Sequence, residues 1–116
     1  MTEEQHPFRM VHYTVAMRGI QSNLTNTDLS NICSMLLGHW NMEILGYNEH
    51  TFSNGSITFM FLLGTSHLSC HTWNESKSFF LDFATCGENQ NMMAFHNRLL
   101  NIVNPTDYKY DIVLRD

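Results

Sequence analysis

The chain has 116 residues, 43% hydrophobic and 15% charged, with a formal net charge of −5. That length suits one compact domain, and the composition excludes a disordered chain. No basic run is present and no apolar stretch approaches about 20 residues, which argues against nucleic acid, an anionic membrane surface and a membrane span.

The start, Met1-Thr2-Glu3-Glu4-Gln5, is acidic and polar, unlike a signal peptide. Three cysteines, Cys33, Cys70 and Cys86, are an odd number without paired spacing. Both features point to a reducing, cytoplasmic setting rather than a disulfide framework. A domain this small buries a modest core and leaves little room for a deep cleft, which small enzymes often solve by placing the site between two protomers.

Residues 1–9 read as a polar tail. From Met10, apolar Val11, Tyr13, Val15 and Met17 alternate with His12, Thr14 and Ala16, the pattern of a half-buried strand. Gly19 to Asn26 is loop-like. Thr27 is expected to cap a helix whose apolar positions are Leu29, Ile32, Cys33 and Leu36, with Gly38 near its end. Met42 to Tyr47 reads as a second strand. Phe52 to Ser56 carries turn chemistry, strongest at Asn54-Gly55. Ile57 to Leu63 is a near-continuous apolar strand, and Leu68 to Trp73 is another.

Asn74 to Lys77 turns the chain. Phe79, Leu81 and Phe83 then alternate with polar Asp82 up to Thr85-Cys86-Gly87. A second helix is predicted from about Asn91 to Val103, with Met92, Phe95, Leu99 and Ile102 on one face and Pro105 stopping it. A last strand carries Tyr110, Ile112 and Leu114. The order is strand, helix, four strands, helix, strand. Short links between consecutive strands imply antiparallel pairing, and two amphipathic helices cover one face. The expected fold is α+β: a two-layer α/β sandwich, one domain over residues 1–116, with an antiparallel sheet and two helices on one face. The uncovered face is expected to carry Phe80 or Phe83 and to drive sheet-to-sheet dimerisation.

Reactive side chains crowd one stretch, Gly64-Thr65-Ser66-His67-Leu68-Ser69-Cys70-His71-Thr72-Trp73-Asn74-Glu75. His67, Cys70 and His71 are possible zinc ligands with Cys86 as a fourth, but a strand from Leu68 to Trp73 sends Cys70 and His71 to opposite faces, so no metal site is expected. A serine or cysteine nucleophile with a histidine base is a second reading. Against it, Gly64-Thr65-Ser66-His67-Leu68 lacks the second glycine of a nucleophile elbow. Residue pattern leaves both readings open.

Ser66 to Glu75, followed by Asp82-Phe83-Ala84-Thr85-Cys86-Gly87, resembles the bacterial and archaeal S-adenosylmethionine decarboxylases. Those typically read Glu-Ser-His-Leu-Ser-Ile-His-Thr-Trp-Pro-Glu and then Asp-(Val/Leu)-Phe-Thr-Cys-Gly. The serine-to-histidine and serine-to-cysteine separations agree without a gap. Phe52 and Gly55-Ser56-Ile57-Thr58 fit the region upstream, and the element order matches across the domain.

The resemblance implies a self-processing enzyme. Ser66 attacks the Thr65 carbonyl, the amide becomes an ester, and β-elimination followed by hydrolysis leaves a pyruvoyl group, the enzyme's cofactor, at former Ser66. The products are a β chain, residues 1–65, and an α chain, residues 66–116. The pyruvoyl carbonyl condenses with the substrate's α-amine and takes up the electrons released as carbon dioxide leaves. By position, His71 assists processing, Thr58 supplies the hydroxyl of a family serine, and Cys86 reprotonates the α-carbon. Phe52 stacks on adenine and Glu75 holds the ribose hydroxyls. In the family the site lies between protomers, so a homodimer is implied.

The implied substrate is S-adenosylmethionine, giving the aminopropyl donor for spermidine synthesis. The same chemistry on ornithine or arginine, and a non-enzymatic homologue that never cuts itself, are the alternatives. Two departures matter: Thr65 stands where the family has glutamate, and Asn74 where it has proline, which is expected to loosen the turn before Glu75.

Overall fold

Alternation in the strands becomes a sheet with one dry face. A computed structural model describes residues 9–86 and 91–115. Most of the polar tail and Gly87 at the end of the second motif lie outside the described residues. The elements run β1 (Met10–Ile20), α1 (Asn26–His39), β2 (Ile44–Thr51), β3 (Ile57–Leu63), β4 (Ser66–Trp73), β5 (Ser78–Thr85), α2 (Met92–Val103) and β6 (Pro105–Arg115). The six strands form one sheet in the order β2-β3-β4-β5-β1-β6, and every neighbouring pair is antiparallel. The expected α+β sandwich is the fold observed.

Residues on one side of each strand enter the core: Tyr13, Val15 and Met17 of β1, Phe59 and Phe61 of β3, Leu68 and Cys70 of β4, Phe79, Leu81 and Phe83 of β5. Leu29, Cys33, Leu36 and Leu37 of α1 and Met92, Phe95, Leu99 and Val103 of α2 close over them. Phe95 is the central wedge, with ring centroids 5.0 Å from Phe83, 5.5 Å from Trp40 and 6.0 Å from Tyr13. Phe83 therefore lies under the helices, correcting its expected place on the open face. It shares parity with Phe79 and Leu81, whereas Phe80 alternates to the other side.

Four boundaries also differ. The cap of α1 is Thr25, not Thr27: its hydroxyl accepts the Asp28 N–H at 3.0 Å, and the Asp28 carboxylate accepts the Thr25 N–H at 2.9 Å. Only Thr25 has a carboxylate three residues on, which the reciprocal box requires. β2 starts later and ends later than expected, because the Met42 N–H still bonds back to the Leu37 carbonyl at 2.9 Å. β4 starts two residues earlier, at Ser66, which brings the serine into the ladder. Helix α2 ends at Val103 as expected, with Asn104 left-handed at φ 52°, and Pro105 opens the edge strand β6. An edge position needs no ladder N–H on its outer side. Among the described residues no helix is long and apolar enough to cross a membrane.

One polar pair is built into the core. Burial raises the pKa of Tyr13 far above the ordinary tyrosine range, so its hydroxyl stays protonated. It is hydrogen-bonded to Nδ1 of buried His96 at 2.6 Å, and the Tyr110 ring stacks on His96 with centroids 4.0 Å apart. Burial lowers the His96 pKa from its ordinary 6.5. The unfolded chain then binds this proton more tightly than the folded one. The resulting stability is complete above about pH 6.5 and is lost as pH falls through the depressed folded value. The thermal midpoint is expected to drop between about pH 7 and about pH 5. His96→Gln should cost roughly 1–3 kcal/mol at neutral pH by leaving Tyr13 poorly paired, and should flatten that acid slope. An unchanged slope in the variant would assign the acid loss to other groups.

Candidate active site

The candidate side chains divide between the two ends of β4. At its start, Ser66 is buried and lies in register with Thr85 of β5. The Ser66 hydroxyl donates to Thr85 Oγ1 at 2.6 Å. One residue earlier, exposed Thr65 turns its carbonyl oxygen to the half-buried Cys86 thiol, 3.3 Å from Sγ. Two consecutive residues at the end of β5 thus hold the two residues that flank the Thr65–Ser66 peptide bond.

Near the far end, Thr58 of β3 pairs with His71 of β4 on the face away from the helices, Oγ1 to Nδ1 2.9 Å. Phe52, Asn54, Thr58, His71 and Trp73 help line an open groove of about 440 Å³. That volume is within the range of small-molecule sites. Phe52 and Trp73 each leave about half their surface exposed, at 49% and 52%. Glu75 is exposed on the 3-10 turn Asn74–Ser76 directly after Trp73 and does not line the groove. A larger cavity of about 560 Å³, between the start of α1 and the β4–β5 turn, is lined by none of the candidate residues.

Ser66 and His71 are therefore not brought together within one chain. They are five residues apart on one strand, about 17 Å at the usual rise, and odd spacing places them on opposite faces. Ser66, Thr65 and Cys86 form one group; Thr58, His71 and Phe52 form the other. The possible zinc set does not assemble either. Cys70 is fully buried beneath the helices while His67 and His71 are exposed on the other face. Among the described residues no group of three His, Cys, Asp or Glu side chains is arranged to hold a metal ion.

The three thiols differ in kind. Burial pushes Cys33 up to about 12 and Cys70 well above the ordinary thiol value, so both remain protonated core residues. Cys86 is only half-buried at a strand end. On the open face, an Asp82 carboxylate oxygen lies 2.7 Å from His12 Nε2 and 4.0 Å from His67 Nε2. His67, which the motif left without a role, belongs to this patch.

Sequence reasoning missed Thr85 and the network around Asn74. Thr85 was visible as the residue before Cys86, but its partner depended on where β4 began. Asn74 does not loosen its turn. Its N–H donates to Ser56 Oγ at 2.9 Å, its amide nitrogen reaches the Asn54 carbonyl at 3.4 Å, and its Oδ1 accepts from Asn26 at 3.0 Å. A proline could make none of these bonds. They tie the Phe52 turn to the Glu75 turn, and Gly55 at φ +88° allows the approach, since a Cβ there would sit 2.7 Å from the Asn74 amide.

Residues 11–116 match the model of the S-adenosylmethionine decarboxylase family. The chain belongs to that family. It is 33% identical over 98 residues to an S-adenosylmethionine decarboxylase proenzyme from Hydrogenobaculum sp. (strain Y04AAS1), covering 83% of this chain and 73% of that one. A proenzyme of the same name from Picrophilus torridus is 26% identical over 102 residues, covering 86% of this chain and 78% of its own. The solved adenosylmethionine decarboxylase of Aquifex aeolicus VF5 shares the fold, with a TM-score of 0.78 at 19% identity over 90% of this chain and 88% of that one.

Within this family member, Asn74 is bonded to Asn54 and Ser56, two residues that line the groove. Asn74→Ala is expected to lower stability by about 1 kcal/mol and to raise the mobility of the Phe52 turn. Thermal denaturation and amide hydrogen exchange at residues 52–56 check both. Exchange unchanged from the parent would remove Asn74 as the tie.

Proposed function

We propose that the chain is a precursor that cuts itself at Thr65–Ser66 and then decarboxylates S-adenosylmethionine. The contact of the Cys86 thiol with the Thr65 carbonyl carries this reading, taken together with family membership. A hydrogen bond to that oxygen draws electron density from the carbon, and it stabilises the charge that gathers there on attack. Ser66 Oγ reaches the carbon through a five-membered ring, so no distant nucleophile is needed. Breakage of the carbon–nitrogen bond gives an ester. Loss of the Ser66 α-proton with departure of the Thr65 carboxylate gives dehydroalanine, and water then releases ammonia.

The residues present fit the pyruvoyl group so formed: its parent serine is buried at a strand start, and the Cys86 thiol lies against the carbonyl of the residue just before it. The group supplies an electron sink for loss of carbon dioxide from an α-amino acid. Cys86 is assigned the return of a proton to the substrate α-carbon, a general-acid role. Phe52 and Trp73 offer flat surfaces for a purine, and Glu75 on the adjoining turn offers a carboxylate to ribose hydroxyls. The product is the aminopropyl donor for spermidine synthesis.

The separation of Ser66 from His71 supports a site completed by a second copy. Two sheets facing each other about a two-fold axis near Ser69 set the His71 end of one β4 against the start of the other, where the Thr65–Ser66 bond is reached from the exposed Thr65 side rather than through the buried Ser66 side chain. The face required carries exposed apolar side chains beside its polar pairs: Met60, Leu62 and Trp73 are 47%, 59% and 52% exposed there. His71, oriented by the Thr58 hydroxyl, then takes the proton in processing on the neighbouring chain.

Denaturing mass spectrometry is expected to give fragments 1–65 and 66–116, the second beginning with a pyruvoyl group, with carbon dioxide released from S-adenosylmethionine and not from ornithine or arginine. A single 13.5 kDa chain without activity would instead support a non-enzymatic homologue. Ser66→Ala and His71→Ala should each remain uncut alone. Coexpressed, the His71→Ala chains should be cut, because Ser66 from one copy meets His71 from the other. No cleavage in the mixture would remove the shared site. Cys86→Ala should slow cleavage about tenfold, the equivalent of one hydrogen bond, and should impair turnover further. Turnover equal to the parent's would remove Cys86 from the mechanism.

A further inference from the structure

We propose that Thr85 is a positioning residue for the cleavage, holding the Ser66 hydroxyl in the orientation from which it attacks. The inference rests on the self-cleavage reading and adds a residue to it. Ser66 and Thr85 are a directly opposed pair of the β4–β5 ladder, and both are buried, at 8% and 0% exposure. Their oxygens are 2.6 Å apart, with Ser66 as the donor. A serine free to rotate spreads its hydroxyl over three staggered positions. This contact selects one of them. Because the hydroxyl proton points at Thr85, the lone pairs of Oγ stay available to the Thr65 carbonyl carbon.

The neighbouring residue completes the arrangement. Cys86 Sγ holds the carbonyl oxygen at 3.3 Å while Thr85 holds the attacking oxygen. Nucleophile and electrophile are adjacent in the chain, and the groups that orient them are adjacent too, Thr85 as the last residue of β5 and Cys86 directly after it. In the step itself, Oγ bonds to the Thr65 carbon and the carbon–nitrogen bond breaks. The Oγ proton ends on the released Ser66 nitrogen. No oxidant, reductant or further reactant enters. Threonine is too weak a base to keep the proton, so its part is orientation.

The test compares Thr85→Val, which keeps shape and loses the acceptor, with Thr85→Ser, which keeps the acceptor and loses a methyl. Fragment formation in the full chain is followed by denaturing mass spectrometry, with folding checked by thermal denaturation. Hydroxylamine is added to split any ester formed between Thr65 and Ser66. Thr85→Ser should cut within about threefold of the parent rate. Thr85→Val should slow at least about tenfold, the loss of one hydrogen bond, and should show no accumulated ester, because the attack is the step impaired. If Thr85→Val does not fold, Thr85→Ala takes its place in the comparison. Parent-like cutting by the valine or alanine variant overturns the proposal, as does accumulation of ester in it. So does loss of cutting by the serine variant alone, which would assign the residue to packing. An uncut parent chain overturns the self-cleavage reading itself, so the two failures are separate.

Discussion

The ladder between β4 and β5 decides what each reactive side chain faces. Its register sets Ser66 against Thr85, His67 against Ala84 and His71 against Phe80. A slip of one residue would exchange the two faces along the whole strand. Ser66 would then leave its hydroxyl partner, and Leu68 and Cys70 would leave the core. The apolar contacts that fix the register are the same ones that hold the helices. Packing on one face thereby orients the polar groups at the strand's two ends.

Much of this was legible in the residues. Tyr13, Val15 and Met17 alternate too regularly to be anything but a half-buried strand, and Leu29, Cys33 and Leu36 mark a helix face. The bounds of β3 were readable because Asn54-Gly55 and Gly64 punctuate it. Boundaries set by hydrogen bonding were not readable. Met42 looks like strand by apolarity yet completes the end of α1. Thr25 and Thr27 differ as caps only through Asp28. Phe83 was misplaced because a short alternating run shows two faces without saying which one the helices cover.

The candidate site was legible residue by residue and illegible as an arrangement. Ser66, His71 and Cys86 stand in the register of the family motif, but a linear motif does not say that Ser66 and His71 occupy opposite faces about 17 Å apart. Thr85 and Asn74 carry no chemistry of their own to draw notice. Each matters through a neighbour, Thr85 through the Ser66 hydroxyl and Asn74 through the turn that bears Phe52. Departure from a family residue also does not by itself weaken a turn. Asparagine at 74 replaces proline's stiffness with three hydrogen bonds.

The strand order β2-β3-β4-β5-β1-β6 has a consequence for a chain broken between β3 and β4. One piece carries β1, β2 and β3; the other carries β4, β5 and β6. The pieces alternate across the sheet, since β1 lies between β5 and β6. Separating them means opening three ladders at once, β3–β4, β5–β1 and β1–β6. A single nick therefore leaves the folded body whole while changing the molecularity of its refolding. The intact chain folds alone, whereas the nicked one must find its other half, so recovery from denaturation becomes dependent on concentration. Scission at this bond makes assembly hard to repeat once it has been undone.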